Sequence, residues 1–135
     1  MQTLNEIPSE FQLSPAGAEI RWLMRNQYGG MAHCTFRKNS VSSAVAHKTV
    51  SAFWHILSGS GAIWRRDSTG ETITQLCTGV TLDIPVNTDF QYRTDEEDLI
   101  FLSVANPPTS GVEARHVQDS PWETTVSLSH HLDDL

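Results

Sequence analysis

Histidines and one polar segment mark the parts of this sequence that could do chemistry. His47 lies in the segment 46–61, which reads AHKTVSAFWHILSGSG. An imidazole ordinarily titrates near neutral pH and is a common metal ligand, so His47 is suited to proton transfer or to metal binding. His33 precedes it, and the segment 91–93, QYR, follows with an amide, a hydroxyl and a guanidinium that could hold a polar group. Which chemistry results depends on which of these side chains meet.

The elements that must position these residues are strands. Several short segments alternate between apolar and polar residues or are rich in β-branched and aromatic residues, and turn-forming residues separate them. The strands are predicted at 18–25, 30–37, 52–59, 61–66, 72–79, 80–85, 89–93 and 99–105. Many short strands with regular turns and no helices between them predict an all-β, antiparallel sandwich or closed barrel.

One helix is predicted, near the end of the chain. The segment 120–123, SPWE, has a capping-box pattern with proline at the first helical position, and Trp122 and Val126 are four residues apart. We expect a short helix over about 120–132 that covers part of the barrel. At 135 residues the chain should form one core. The sequence therefore predicts a single domain, 1–135, whose barrel spans about 18–108.

Charge and composition limit the classes of partner that this protein is expected to bind. A formal net charge of -7 argues against nucleic acid or an anionic membrane as the main partner and favours a small molecule. The sequence lacks an apolar run of the roughly 18 residues that a membrane span needs. Its first residues lack the pattern of a signal peptide, so we expect a cytoplasmic protein. Cys34 and Cys77 form no CxxC pair and are expected to be buried, reduced thiols. Motifs for ATP, dinucleotides or serine hydrolysis are missing.

The spacing of glycine, proline and histidine resembles the motifs of small cupins. That family reads HxH, four residues, Glu, six residues, Gly, and then Gly, five residues, Pro-x-Gly-x-x-His. Gly59, Gly79 and Pro85 keep these spacings here, within the region of about 30–108. A subgroup reading AHRTxEE and PxGTxFQFR is similar to AHKTVSA at 46–52 and PVNTDFQYR at 85–93. The resemblance implies a cupin-like β-barrel of the jelly-roll type.

The same resemblance implies that most of the metal ligands are missing. It places Val45 and His47 at the two histidines, Ala52 at the glutamate and Phe90 at the last histidine, so only His47 keeps a ligand type. One imidazole does not hold a divalent metal well, because iron, manganese and zinc need several nitrogen or oxygen donors in fixed geometry. We therefore expect no cofactor.

A rebuilt metal site is the less favoured alternative. It would bind iron, manganese or zinc through His33, His47 and Gln91, provided that these side chains point into the barrel. Strand alternation turns Gln91 and Phe90 to opposite faces, so a bulge would be needed for Gln91 to replace its neighbour. Such a protein would be a metal-dependent cupin of the oxygenase type.

The function favoured by this resemblance is a metal-independent lyase or isomerase acting on a small polar substrate. His47 would be the catalytic residue that moves a proton, and Trp54, on the inner face if Ala52 is, would stack on the substrate. The polar part of the substrate would be bound by His33, Gln91, Tyr92 and Arg93. A histidine satisfied by hydrogen bonds in the barrel wall is an equally weighted interpretation of His47. A non-catalytic metabolite-binding module is the third alternative.

The face opposite Trp54 on the same strand is relevant to whether the protein forms a homodimer. Phe53, His55 and Leu57 share this outward face. Apolar side chains on an exposed face favour cover by another strand or subunit, so a homodimer is compatible with the sequence.

Overall fold

A computed structural model describes residues 1–107 and 114–126, and every regular element in these ranges is a β-strand. The strands are β1 (Gln12–Leu13), β2 (Glu19–Asn26), β3 (Gly29–Phe36), β4 (Val45–His47), β5 (Ser51–Ser58), β6 (Gly61–Asp67), β7 (Gly70–Leu76), β8 (Thr81–Ile84), β9 (Asp89–Thr94), β10 (Leu99–Asn106) and β11 (Ala114–His116). The described residues contain no helix that could cross a membrane.

The strands form two antiparallel sheets. Sheet A has the order β1-β2-β3-β10-β5-β8, and sheet B has the order β11-β4-β9-β6-β7. Successive parts of the chain pass from one sheet to the other, so neighbours within a sheet are often far apart in sequence. This arrangement is a jelly roll, and it confirms the all-β, antiparallel class that the strand pattern predicted.

Alternation along the strands builds the core between the two sheets. On β9, Phe90 and Tyr92 are buried among core side chains, and Tyr92 meets Trp54 of sheet A at 5.1 Å between ring centroids. Trp54 also stacks on Phe101 of β10, with ring centroids 4.0 Å apart. These aromatic contacts join the sheets at the centre of the molecule, where ring pairs add to the stabilisation from burial.

The passage from sheet A to sheet B after β5 requires a glycine. Gly59 has a φ of +93°, which L side chains rarely adopt. A Cβ atom at Gly59 would also collide with the backbone carbonyl oxygen of Asp98. The glycine that set the motif spacing in the sequence therefore allows this turn and its close backbone approach.

The predicted helix near the end of the chain is not found in residues 120–126; positions 127–132 of that prediction lie outside the described residues. Residues 117–126 instead run as an irregular segment along sheet B. The backbone N–H of Trp122 donates to Oε1 of Gln91, and the backbone N–H of Thr125 donates to the carbonyl of Val41. These backbone groups bond to the barrel rather than to the preceding turn of a helix, so tertiary contacts override the local capping pattern.

Candidate functional site

A cavity lies between the inner faces of the two sheets. Its volume, measured for the centre of a water-sized sphere, is about 70 Å³. By that measure one water molecule needs about 10–15 Å³, so the cavity is large enough for several waters or a small organic group. Its walls are mainly apolar and include Ala32, Val45, Val50, Ala52, Ile84, Phe90 and Phe101.

Three side chains of sheet B form one wall of this cavity. His47 at the end of β4 is half-buried, and its carbonyl accepts a hydrogen bond from the backbone N–H of Asn87, just before β9. The Phe90 ring lies 5.6 Å from the His47 ring and 6.3 Å from the Tyr92 ring. His47 therefore lies near the start of β9, and the fully buried Tyr92 lies further along the same wall.

Two hydroxyl groups, those of Ser14 and Tyr92, lie next to each other on this wall. The side chain of Tyr92 is hydrogen-bonded to that of Ser14. Oγ of Ser14 also accepts the backbone N–H groups of Gly17 at 3.2 Å and Ala18 at 3.0 Å. The N–H of Gly17 is shared with the carbonyl of Ser14, which accepts it at 2.9 Å. One hydroxyl of the Ser14–Tyr92 pair donates its proton to the other, so the second hydroxyl proton of the pair is left for another acceptor.

Two further titratable groups on the cavity wall stay protonated at neutral pH. Burial raises the pKa of the Cys34 thiol to about 12. Burial also raises the pKa of Tyr92 well above its ordinary value of 10.0, and the neighbouring Cys34 adds to this increase. Cys34 is therefore a buried thiol, as expected, and Tyr92 is a neutral hydroxyl. The expectation that Cys77 is buried was wrong, because this residue is exposed just after β7.

The structure brings some of the predicted site residues together. His47, Trp54 and Tyr92 all line the cavity. Trp54 is held in the core by its contacts with Tyr92 and Phe101. Sequence reasoning did not include Ser14, Trp22 or Cys34 in the site. Ser14 lies outside the predicted strands, and no pattern in the sequence relates it to Tyr92.

Gln91 and Arg93 lie on the other face of β9, which corrects the expectation that they bind substrate in the cavity. The amide nitrogen of Gln91 donates to the carbonyls of Ser42 at 2.9 Å and Trp122 at 2.8 Å. The guanidinium of Arg93 lies 4.6 Å from the centroid of the Trp122 ring. The β9 strand keeps regular alternation, so both side chains hold the segment 117–126 on the outside of sheet B.

His33 is also outside the cavity. Its neighbours Ala32 and Cys34 on β3 line the cavity, so His33 faces away from it and pairs across the sheet with Arg21. Partial burial, followed by the charge of Arg21, lowers the pKa of His33 below its ordinary value of 6.5. The expectation that His33 contacts a substrate inside the barrel is corrected for the same reason of strand alternation.

The three residues of the alternative metal site do not converge. His47 lines the cavity, whereas His33 faces the outside of sheet A and Gln91 faces the outside of sheet B. Within residues 1–107 and 114–126, no group of three or more His, Cys, Asp or Glu side chains is arranged to hold a metal ion. The residues named for this site therefore do not fit a metal held inside the barrel.

Comparison with protein-family models and with curated proteins finds no match. Solved structures are similar in fold. Oxalate decarboxylase from Bacillus subtilis has a TM-score of 0.70 at 15% identity, over 88% of this chain and 34% of that chain. The capsular polysaccharide assembling protein CapF from Staphylococcus aureus has a TM-score of 0.65 at 14% identity, over 82% of this chain and 34% of that chain.

A third similar structure is an uncharacterized conserved protein with a double-stranded β-helix domain from Klebsiella pneumoniae subsp. pneumoniae MGH 78578. Its TM-score is 0.67 at 12% identity, over 88% of this chain and 100% of that chain. The chain thus spans about a third of the length of CapF and of oxalate decarboxylase, and the whole of the Klebsiella protein. The fold is a double-stranded β-helix, like that of the Klebsiella protein, and it agrees with the jelly-roll β-barrel expected from the sequence.

Proposed function

We propose that this protein binds a small, uncharged, mainly apolar organic molecule in the barrel cavity. We further propose that His47 moves a proton on that molecule in a metal-independent lyase or isomerase reaction. The carrying observation is the composition of the cavity wall. Of the wall residues in the described part of the chain, His47 alone has a side chain of the type that ordinarily titrates near neutral pH. Burial keeps the thiol of Cys34 and the phenol of Tyr92 protonated.

The proposed reaction requires no oxidant. The neutral imidazole of His47 takes a proton from one atom of the substrate, and the electron pair left behind moves into the neighbouring bond. In an isomerisation, the imidazolium returns the proton to a different atom of the substrate. In an elimination, that pair forms a double bond, while the leaving group departs with the electrons of its own bond to the substrate and receives the proton from the imidazolium. A positioned acid or base of this kind typically accelerates a reaction by about 10²–10⁴-fold.

The aromatic walls would hold the substrate against His47. Trp54 and Phe90 line the cavity, and their rings meet edge to face with centroids 6.1 Å apart. Flat, rigid side chains bury apolar surface of a ligand at low entropic cost, and they exclude water from the site of proton transfer.

A non-catalytic metabolite-binding module is the second candidate. One observation favours it: apart from His47, the polar side chains of the cavity wall are neutral donors, including Ser14, Ser103 and Tyr92. Neutral hydroxyl groups can bind a ligand through hydrogen bonds without any reaction taking place. The two candidates share the cavity as the binding site and differ in what His47 does.

The test begins with a library of small neutral compounds, with binding detected by ligand-observed NMR. Each compound that binds is then incubated with the protein, and its NMR spectrum is followed for conversion. For a converted compound, we expect His47→Gln to reduce turnover by about 100-fold or more while binding changes only a few-fold. His55→Gln is the matched control, because His55 is exposed on the outer face of β5 and bonds to Thr81.

Each result of this test has a distinct meaning. Conversion that is lost in His47→Gln and kept in His55→Gln supports the proposal. Binding without conversion of any compound favours the metabolite-binding module. Conversion that His47→Gln leaves unchanged contradicts the role of His47. The cytoplasmic location and the homodimer expected from the sequence stay predictions.

A further inference from the structure

We infer that the ligand of the cavity is a neutral molecule carrying a hydrogen-bond-accepting oxygen, of the carbonyl type, and that the side chains of Trp22 and Tyr92 bind this oxygen. The inference rests on the proposed binding of a small molecule in the cavity and adds its chemical class. Two separate observations support it, one on each sheet.

The first observation is a buried donor without a partner. Trp22 of β2 lines the cavity, and its Nε1 is buried with no hydrogen-bond partner in the described part of the chain. A Cβ atom at Gly30 would come within 2.7 Å of Cζ3 of Trp22, so the six-membered ring is fixed against Gly30. The edge that carries Nε1 therefore points away from Gly30. Buried N–H groups in folded proteins are nearly always bonded, so this indole is suited to a ligand acceptor.

The second observation is the spare hydroxyl proton of the Ser14–Tyr92 pair. The two side chains are hydrogen-bonded, and one of their two hydroxyl protons suffices for that bond. In the proposed complex, the phenolic proton of Tyr92 is the one that bonds to a group inside the cavity. An oxygen atom of a bound molecule is a suitable acceptor, and the phenol is fully buried among apolar side chains, where such a bond is strong.

The charge of the wall selects against ionic ligands. No Lys, Arg, Asp or Glu is among the cavity-lining residues in the ranges that the structure describes. A carboxylate or an ammonium group would lose its hydration there without gaining an opposite charge, which is costly. Neutral carbonyl compounds such as ketones, aldehydes, lactones and amides combine an apolar body with an acceptor oxygen. A carbonyl that accepts these hydrogen bonds is also polarised for removal of a neighbouring proton.

The experiment compares two probes of nearly the same shape, cyclohexanone and methylenecyclohexane. Dissociation constants are measured by chemical-shift titration of the isotope-labelled protein. We expect cyclohexanone to bind more tightly, because its oxygen satisfies both donors, whereas methylenecyclohexane leaves them unpaired. Tyr92→Phe and Trp22→Phe should each weaken binding of the ketone by about five- to tenfold and leave the alkene within about twofold. Tyr28→Phe is the matched control, because Tyr28 is 75% exposed.

A vibrational measurement reports on the bond itself. The carbonyl stretching frequency of bound cyclohexanone should lie below its value in an apolar solvent and move back towards that value in Tyr92→Phe. Changes in packing alone would not produce this shift. If a variant fails to fold, the comparison of the two probes in the wild-type protein and the frequency of the bound ketone still decide the question.

The failures of the two proposals are distinguishable. Equal affinity for the two probes, or equal weakening of both by Tyr92→Phe, would overturn the inference and leave cavity binding intact. If neither probe shifts the resonances of cavity residues, both the inference and the proposed binding of small apolar molecules are wrong.

Discussion

The two cysteines have opposite environments, and this difference predicts their reactivity. Cys34 is buried on the cavity wall, where burial raises the pKa of its thiol to about 12, whereas Cys77 is exposed. Only the thiolate attacks disulfide reagents. We expect native protein at about pH 8 to react rapidly with one equivalent of 5,5′-dithiobis(2-nitrobenzoic acid) and with a second equivalent only after unfolding. The released thionitrobenzoate measures both phases.

Cys77→Ser is the control for this prediction. The variant should lose the rapid phase and keep the phase that follows unfolding. A rapid phase that persists in Cys77→Ser would mean that Cys34 is accessible, and the buried cavity wall described above would be incorrect.

The lowered pKa of His33 predicts a dependence of stability on pH. Because the folded protein binds a proton at His33 more weakly than the unfolded chain does, acid favours the unfolded state. This destabilisation is absent well above pH 6.5 and develops as the pH falls below 6.5, through the unfolded and then the folded pKa. In His33→Gln, we expect the free energy of unfolding to fall less between about pH 7.5 and 5.

Urea unfolding at several pH values checks the His33 prediction. Arg21→Gln should act in the same direction to a smaller degree, because the charge of Arg21 is the second cause of the lowered pKa. A pH dependence of stability that is identical in the wild type and His33→Gln would contradict it.

Strand alternation determines which of the predictions made from the sequence succeed. Alternation correctly separated Phe90 from Gln91, and the eight predicted strands correspond to β2, β3 and β5–β10. The strands β1, β4 and β11 have only two or three residues, too few to display a period. Sequence reasoning therefore placed His47 through motif spacing rather than through its own strand.

The segment 117–126 depends on Gln91, a contact that no local pattern reveals. The buried amide of Gln91 bonds to the carbonyls of Ser42 and Trp122 and to the N–H of Trp122. We expect Gln91→Leu to lower the free energy of unfolding by about 2–3 kcal/mol, because these backbone groups lose their partner while largely buried. Urea unfolding gives the loss, and hydrogen exchange at Trp122 should accelerate.

Arg93→Gln is the matched control on the same face of β9. Its guanidinium lies over the Trp122 ring but is exposed, so we expect a loss of about 0.5–1 kcal/mol at most. A Gln91→Leu variant no less stable than Arg93→Gln would show that the amide does not hold this segment.

For the molecule as a whole, the same fold is adopted by very different sequences. Structures only 12–15% identical in sequence share the double-stranded β-helix with this chain. Motif spacing placed a glycine at position 59, and its positive φ explains why a glycine is required there. The pairing of Ser14 with Tyr92 and the orphaned Nε1 of Trp22 were not, since they arise from contacts between distant parts of the chain.

The small side chain at position 52 helps to explain why the barrel contains a cavity. Ala52 holds the position that the resemblance gives to that glutamate, and its side chain lines the cavity. A small apolar residue there leaves both volume and an apolar wall where a larger carboxylate would stand.

We expect Ala52→Val to fill part of the cavity and to weaken binding of cyclohexanone at least tenfold. The free energy of unfolding should change by less than about 1.5 kcal/mol. Chemical-shift titration and urea unfolding measure the two effects. Ala62→Val makes the same substitution at a buried position of sheet B outside the cavity wall and should leave binding unchanged. Unchanged affinity in Ala52→Val would mean that the ligand binds elsewhere on the molecule.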